Sequence, residues 1–263
     1  MKVHLAPKVI LVTRPSIDWD GVDELLAEYG EDATWRRGDS DAEAESIPEL
    51  MGRLCYGSWG SRQGRIGARD YLANILSSGH GSVLEHANWS FVVVRASRGH
   101  SAQLARHRSG FAHSVESTHF IRYGLADAKG AQEAAFCAAG IPVGLMQDAA
   151  SAFADAIEAY NQIFDALRRD FPDGFAGKKA TCGAVRALLP NGLEAKHGFT
   201  ANARALRHFC ELRGNEDNVL EIRLVAAQVA AIMMREAPAI FQDFKIEAGN
   251  DGHPVVHSEH VKV

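Results

Sequence analysis

Cysteine is scarce in this chain, and the scarcity narrows its chemistry early. Among 263 residues only Cys55, Cys137, Cys182 and Cys210 occur. They are far apart and form no C-x-x-C pair, so neither a disulfide framework nor a zinc knuckle is expected, and core packing in a reducing compartment is the better reading. Long apolar runs are missing too. The opening MKVHLAPKVILVTRP holds one short apolar stretch, and nothing elsewhere approaches the roughly 20 apolar residues of a membrane helix. A soluble, cytoplasmic protein without an export signal is the expectation. Positive charge is not in surplus: 28 Lys and Arg stand against 33 Asp and Glu, a formal net charge of -5. That balance argues against a nucleic-acid polymer as partner, so basic residues must act locally. Several motifs are absent as well. There is no G-x-x-x-x-G-K-[ST], no strand-linked G-x-G-x-x-G, no H-E-x-x-H and no G-x-S-x-G, which removes support for P-loop, Rossmann, zincin and serine-hydrolase readings. No internal repeat, low-complexity block or linker interrupts the chain, and a 46% hydrophobic composition can bury one sizeable core, so residues 1–263 are expected to form one domain.

What is present is mostly helical in pattern. A first strand is expected at Lys8 to Val12 and a short amphipathic helix at Val22 to Tyr29, closed by Gly30. The charged segment 31–44 reads as loop. Helical spacing recurs over 47–56 and 69–78, the second ending at Gly79 as a left-handed cap. His86 to Ala96, rich in Val, Phe and Trp, reads as a buried strand, followed by a helix from Arg98 to Arg108. A second strand is expected at Phe120 to Tyr123, then a polar connection to Pro142. Helices are expected over 146–171, 176–189, 202–213 and 219–236, with Val219, Ile222, Val225, Val229 and Ile232 lining one face of the last.

The most informative stretch is RGHSAQLARHRSGFAHSVESTHF, in which Arg106, His107 and Arg108 are consecutive, Gln103 lies just upstream and Ser117 follows. Three consecutive side chains cannot all face one way on a regular element, so at least one serves a separate partner. Such a triplet suits a place where two anionic ligands meet, because guanidinium forks bind phosphates and ring carbonyls bidentately. The competing reading is a solvated basic helix end. His80, Glu85 and His86 have the residue types of a zinc set but not the spacing, and no metal is expected.

The motifs GHGSVLEHANWSF, AQLARHRSGFAHSVES, VRALLP, TANARALRHFCELRG and LEIR, in that order from about residue 54 to 244, resemble the flavin-dependent thymidylate synthases. The family signature is an R-H-R triplet followed by a serine, and here eight residues separate Arg108 from Ser117. The resemblance implies an α/β (α+β) fold, a small mainly antiparallel sheet flanked by long helices, assembled as a homotetramer with flavin at subunit interfaces. It implies transfer of a methylene group from methylenetetrahydrofolate to C5 of dUMP, with hydride from FAD and NADPH as reductant, and no enzymatic cysteine nucleophile. By the same resemblance, Ser82, Arg106, His107, Arg108, Asn202, Arg204 and His208 meet FAD. Gln103, Arg106, Glu116, Ser117, His119 and Arg186 meet the nucleotide. Arg213 stabilises the negative charge that makes uracil C5 nucleophilic. His80 matches a histidine near the flavin ring. Read without the resemblance, Asn202 is a helix N-cap, Arg213 a helix C-terminal arginine and His80 a loop histidine.

The nucleotide half departs from the family pattern. Many members carry S-Q-E-S-T-R-Y where this chain has Ser114, Val115, Glu116, Ser117, Thr118, His119 and Phe120. Val115 can neither donate nor accept a hydrogen bond, and His119 replaces a permanently charged fork, with Arg122 a nearby substitute. The run E-D-N-V at 216–219 also differs. These changes leave open another acceptor, such as UMP, or a flavin or nucleotide binding protein without turnover.

Overall fold

A computed structural model describes residues 1–38, 42–126, 129–261 and 263. Residues 39–41 of the charged segment and 127–128 of the connection after Tyr123 lie outside the described residues. In chain order the strands are β1 (Lys2–His4), β2 (Lys8–Thr13), β3 (Asn88–Val94), β4 (Phe111–Val115), β5 (Tyr123–Gly124), β6 (Gln132–Glu133), β7 (Ala135–Cys137), β8 (His197–Asn202), β9 (Phe244–Ala248) and β10 (Pro254–Ser258). The α-helices are α1 (Trp19–Glu28), α2 (Glu43–Tyr56), α3 (Ala68–Ser77), α4 (Arg98–Leu104), α5 (Met146–Leu167), α6 (Phe175–Val185), α7 (Ala203–Arg213) and α8 (Leu220–Glu236).

The fold is the expected mixture of a small, mainly antiparallel sheet and long helices. Its main sheet has the order β2-β3-β8-β4, with every neighbour antiparallel. Alternation in NWSFVVV sends Trp89, Phe91 and Val93 inward, where each is at most 1% exposed. Phe91 pairs with Phe199 of β8 and stacks on it at 5.2 Å. This face packs on α7 and α8 through Leu206, Phe209, Ile222, Val225 and Val229. Burying each such side chain stabilises the fold by about 1.5–3 kcal/mol. A second apolar cluster joins α5 to the β7 region through Phe136, Phe153, Ile157 and Leu193.

Several boundaries differ from the sequence reading. The helix expected to run to Arg108 stops at Leu104, because the chain tightens there: His107 N–H donates to the Leu104 carbonyl at 3.0 Å. The basic triplet therefore sits in the turn beyond the helix. The strand expected at Phe120 to Tyr123 is a turn after Ser117, with only Tyr123–Gly124 extended. On its other side from β3, β8 pairs with β4, whose polar, largely exposed FAHSV carries little hydrophobic signal. Helix α2 starts at Glu43, ahead of Pro48, rather than at residue 47. Val219 precedes α8 and is 60% exposed, while Ile222, Val225 and Val229 face the core as expected. Gly79 follows α3 at φ 69°, the left-handed cap the sequence suggested.

Candidate active site

The triplet turn is built against the N-terminus of α7. Asn202 caps that helix, its Oδ1 accepting from Ala205 N–H at 2.8 Å, and its own N–H donates to the Gly110 carbonyl at 3.1 Å. Gly110 has φ 72°, and a Cβ there would lie 2.7 Å from Asn202 Nδ2 and 2.8 Å from the Ala205 Cβ. Only glycine permits this approach. On α7, Arg204, His208 and Leu212 recur every fourth residue and face one way, toward solvent-open clefts. Arg207 faces the core, where it makes paired bonds to Asp243 at 2.7 and 2.9 Å.

Three adjacent clefts share wall residues and together are called the trough. The first, about 350 Å³, is lined by Arg106, His107, Arg108, Ser109, Phe111, Ala205, His208, Leu212 and Arg213. The second, about 310 Å³, shares Ser109, Ala205 and His208 with it and adds Glu85, Gly110, Asn202, Arg204 and Val263. The third, about 300 Å³, shares Arg204 and continues past Tyr56, Tyr71, His80 and Ser82. Thus the structure brings together Ser82, Arg106, His107, Arg108, Asn202, Arg204, His208 and Arg213, with His80 exposed at one end. Glu85, Tyr56, Tyr71 and Val263 were not anticipated as wall residues. Val263 is far in sequence from the other wall residues, so no local pattern could have marked it.

The electrostatics of the trough are cationic with one counter-charge. Arg204 pairs with Glu85 at 2.7 Å, but both side chains are about half exposed, at 41% and 49%, so the pair contributes little and a ligand can replace it. Arg213 Nε–H donates to His107 Nε2 at 2.9 Å, which places the proton of neutral His107 on Nδ1. Burial, then the charges of Arg213, His208 and His113, push the His107 pKa down to about 4. His107 is therefore a fixed neutral acceptor near pH 7. Arg213 lines the cleft, and its Nη1 donates to Asn218 Oδ1 at 3.3 Å.

The remaining expected residues line none of these three clefts within a single chain. Gln103 lies on α4, half-buried. Glu116 accepts from the Lys196 backbone N–H at 3.1 Å and its Nζ at 2.9 Å. Ser117 Oγ accepts from His119 N–H at 3.3 Å, and His119 Nε2 accepts from Arg186 Nη1. Ser117, His119 and Arg186 thus form a second cluster. Arg122 does not join it: it donates to Asn161 at 3.0 Å, pairs with Asp165 and lies over the Phe164 ring at 4.3 Å, all on α5. Val115 pairs with His197 in the sheet and is 38% exposed. The four cysteines are free thiols; Cys137, Cys182 and Cys210 are buried, and burial raises their pKa values. Among the described residues no three His, Cys, Asp or Glu side chains gather as a metal site, and no helix is long and apolar enough to cross a membrane.

Comparison with known proteins extends the picture. The family model described as thymidylate synthase complementing protein matches residues 39–239. A flavin-dependent thymidylate synthase of Mycobacterium marinum is 32% identical over 98% of this chain and 95% of its own length. Its counterpart in Corynebacterium efficiens is 32% identical over 85% of this chain and 89% of its own. Among solved structures, a UMP/dUMP methylase, PolB, of Streptomyces cacaoi bound with 5-bromo-dUMP superposes with a TM-score of 0.61 at 19% identity. That alignment covers 92% of this chain and 96% of that one.

Proposed function

The chain belongs to the flavin-dependent thymidylate synthase family, and from that premise we propose that it methylates C5 of dUMP to give dTMP. Methylenetetrahydrofolate is the carbon source and NADPH the reductant. The trough fits FAD on its own chemistry, because Arg106, Arg108, Arg204 and His208 supply the donors a pyrophosphate requires. Ser82 and Asn202 complete the flavin set, and bound flavin supplies hydride. The observation that carries the reading is Arg213, held through Nε by neutral His107 and through Nη1 by Asn218, with Nη2 unpartnered among the described residues at the wall of the cleft. A guanidinium so preorganised stabilises negative charge on the uracil imide, which is what makes C5 nucleophilic.

The second cluster, Ser117, His119 and Arg186, with Gln103 and Glu116, is assigned to the nucleotide. Because these residues lie outside the trough of their own chain, a homotetramer in which one chain's cluster meets another's trough is the assembly that unites them. The exposed Phe175 (71%), Tyr56 (73%) and Val143 (91%) are consistent with surfaces covered by other copies. A cytoplasmic setting accords with the free thiols.

Single-turnover assays of FAD-loaded protein with methylenetetrahydrofolate and dUMP, UMP or dCMP test the proposal. Methyl transfer to dUMP is the expected result. Transfer to UMP alone would reassign the acceptor, and flavin binding with no transfer to any of the three would reduce the protein to a binding role.

A further inference from the structure

Two imidazoles beside the triplet have no part in the proposed reaction. His113 on β4 and His197 on β8 are diagonal neighbours on one sheet face, because Val115 pairs with His197 and His113 with Phe199. His113 Nε2 lies 2.7 Å from the backbone carbonyl oxygen of His107, and His113 Nδ1 lies 3.0 Å from His197 Nε2. A carbonyl only accepts, so His113 Nε2 carries a proton. In neutral His113 the other nitrogen is then bare, and His197 Nε2–H is its donor. His197 is fully buried and its Nδ1 has no partner among the described residues, which matches a neutral ring with its single proton on Nε2. Packing fixes the rings: His113 stacks on Phe111 at 5.6 Å and 8°, and His107 meets Phe209 edge-on at 5.1 Å and 88°. His107 Nε2 then receives Arg213 Nε–H at 2.9 Å.

We propose that His113 and His197 are positioning residues, in which His197 and the His107 carbonyl together fix the His113 tautomer, His113 clamps that carbonyl, and the clamped His107 aims Arg213. The proposal rests on the reading of Arg213 given above. Without the His197 donor, the tautomer rests on the His107 carbonyl alone, and the His113 proton moves to Nδ1 when that single bond breaks. The bare Nε2 would then face a carbonyl lone pair, and His107 would shift to relieve the repulsion. That shift passes directly to Arg213, and a misplacement of about 1 Å can cost about 100-fold in rate.

The variants H197F and H113F remove the relay. In H197Q and H113Q the amide nitrogen takes the place of the Nε2 donor. The expected result is that each Phe variant loses roughly 10- to 100-fold in kcat while KM for nucleotide and affinity for FAD stay within about threefold, and that the Gln variants recover most of the loss. Imidazole ¹⁵N NMR supplies a readout independent of turnover. In the FAD-loaded parent, His113 should show a bare Nδ1 and a protonated Nε2, and in H197F the two signals should converge as tautomers mix. Parent-like kcat in folded Phe variants would overturn the relay, as would a His113 protonated on Nδ1 in the parent, a measurement that also decides the matter if the Phe variants do not fold. A parent with the expected ¹⁵N pattern but no methyl transfer would instead refute the reaction and leave the relay standing.

Discussion

Arg213 shows how one side chain can serve helix and site together. It ends α7, where a cation favours the helix dipole, and its Nε–H is bound by His107. R213K keeps the charge and the dipole contact but loses the fork. Methyl transfer should fall by about 100- to 1000-fold, the scale for losing one preorganised donor, while NADPH oxidase activity of the bound flavin persists. Equal loss of both activities would show that Arg213 only holds the helix end. His119 poses a different question, since the structure makes it an acceptor for Arg186 rather than a free cation. Its role is then to orient a guanidinium, which Gln can imitate and Phe cannot. Calorimetry should find dUMP affinity weakened roughly tenfold in H119F, about 1.4 kcal/mol, and near the parent value in H119Q. Parent-like affinity in H119F would remove the pair from the nucleotide site.

Among elements, the turn between α4 and β4 bears the greatest constraint. Gly110 combines φ 72° with contacts that leave no room for a Cβ, so G110A must displace either the triplet or the Asn202 cap of α7. A destabilisation of about 1–3 kcal/mol with loss of FAD uptake is expected, read by thermal melting and flavin titration. Unchanged FAD uptake in a melted-down but folded variant would separate the turn from the flavin site. This turn also explains what the sequence made legible. Periodic helices such as α5 and α8 declare themselves through residues like Ile157 and Val225, and the triplet stands out by residue type alone. Strand β4 does not, because its pairing with β8 is fixed by backbone partners across a gap of more than eighty residues and only Phe111 and His113 turn inward. β8 is similarly hidden, its six residues HGFTAN broken by a glycine. The His113–His197 contact depends on the β4–β8 pairing, and the wall residues Glu85 and Tyr71 lie on separate helical elements brought together by tertiary packing, so no spacing rule could announce them.

On the scale of the whole molecule, a net charge of -5 coexists with a trough dominated by arginine, and the same economy of charge extends to the core. His100 and His197 are 1% and 0% exposed, and burial pushes both pKa values down to about 4, each lowered further by a neighbouring histidine. The unfolded chain binds protons on these rings below its ordinary value of 6.5, whereas the folded chain does not until about pH 4. Stability is therefore fully present above pH 6.5 and declines as pH falls toward 4, by about 1.4 kcal/mol per pH unit for each ring inside that window. Both ring nitrogens of His100 lack partners among the described residues, so its polarity serves no bond within them. H100L should accordingly be at least as stable as the parent at pH 7 and should lose about one ring's share of the slope between pH 6.5 and 4. Denaturant unfolding at stepped pH measures both quantities. An unaltered slope in H100L would mean that the ring is already protonated in the folded protein, against the burial seen here, and a large loss of stability at pH 7 would mean that His100 holds an internal partner, such as a buried water, that Leu cannot replace.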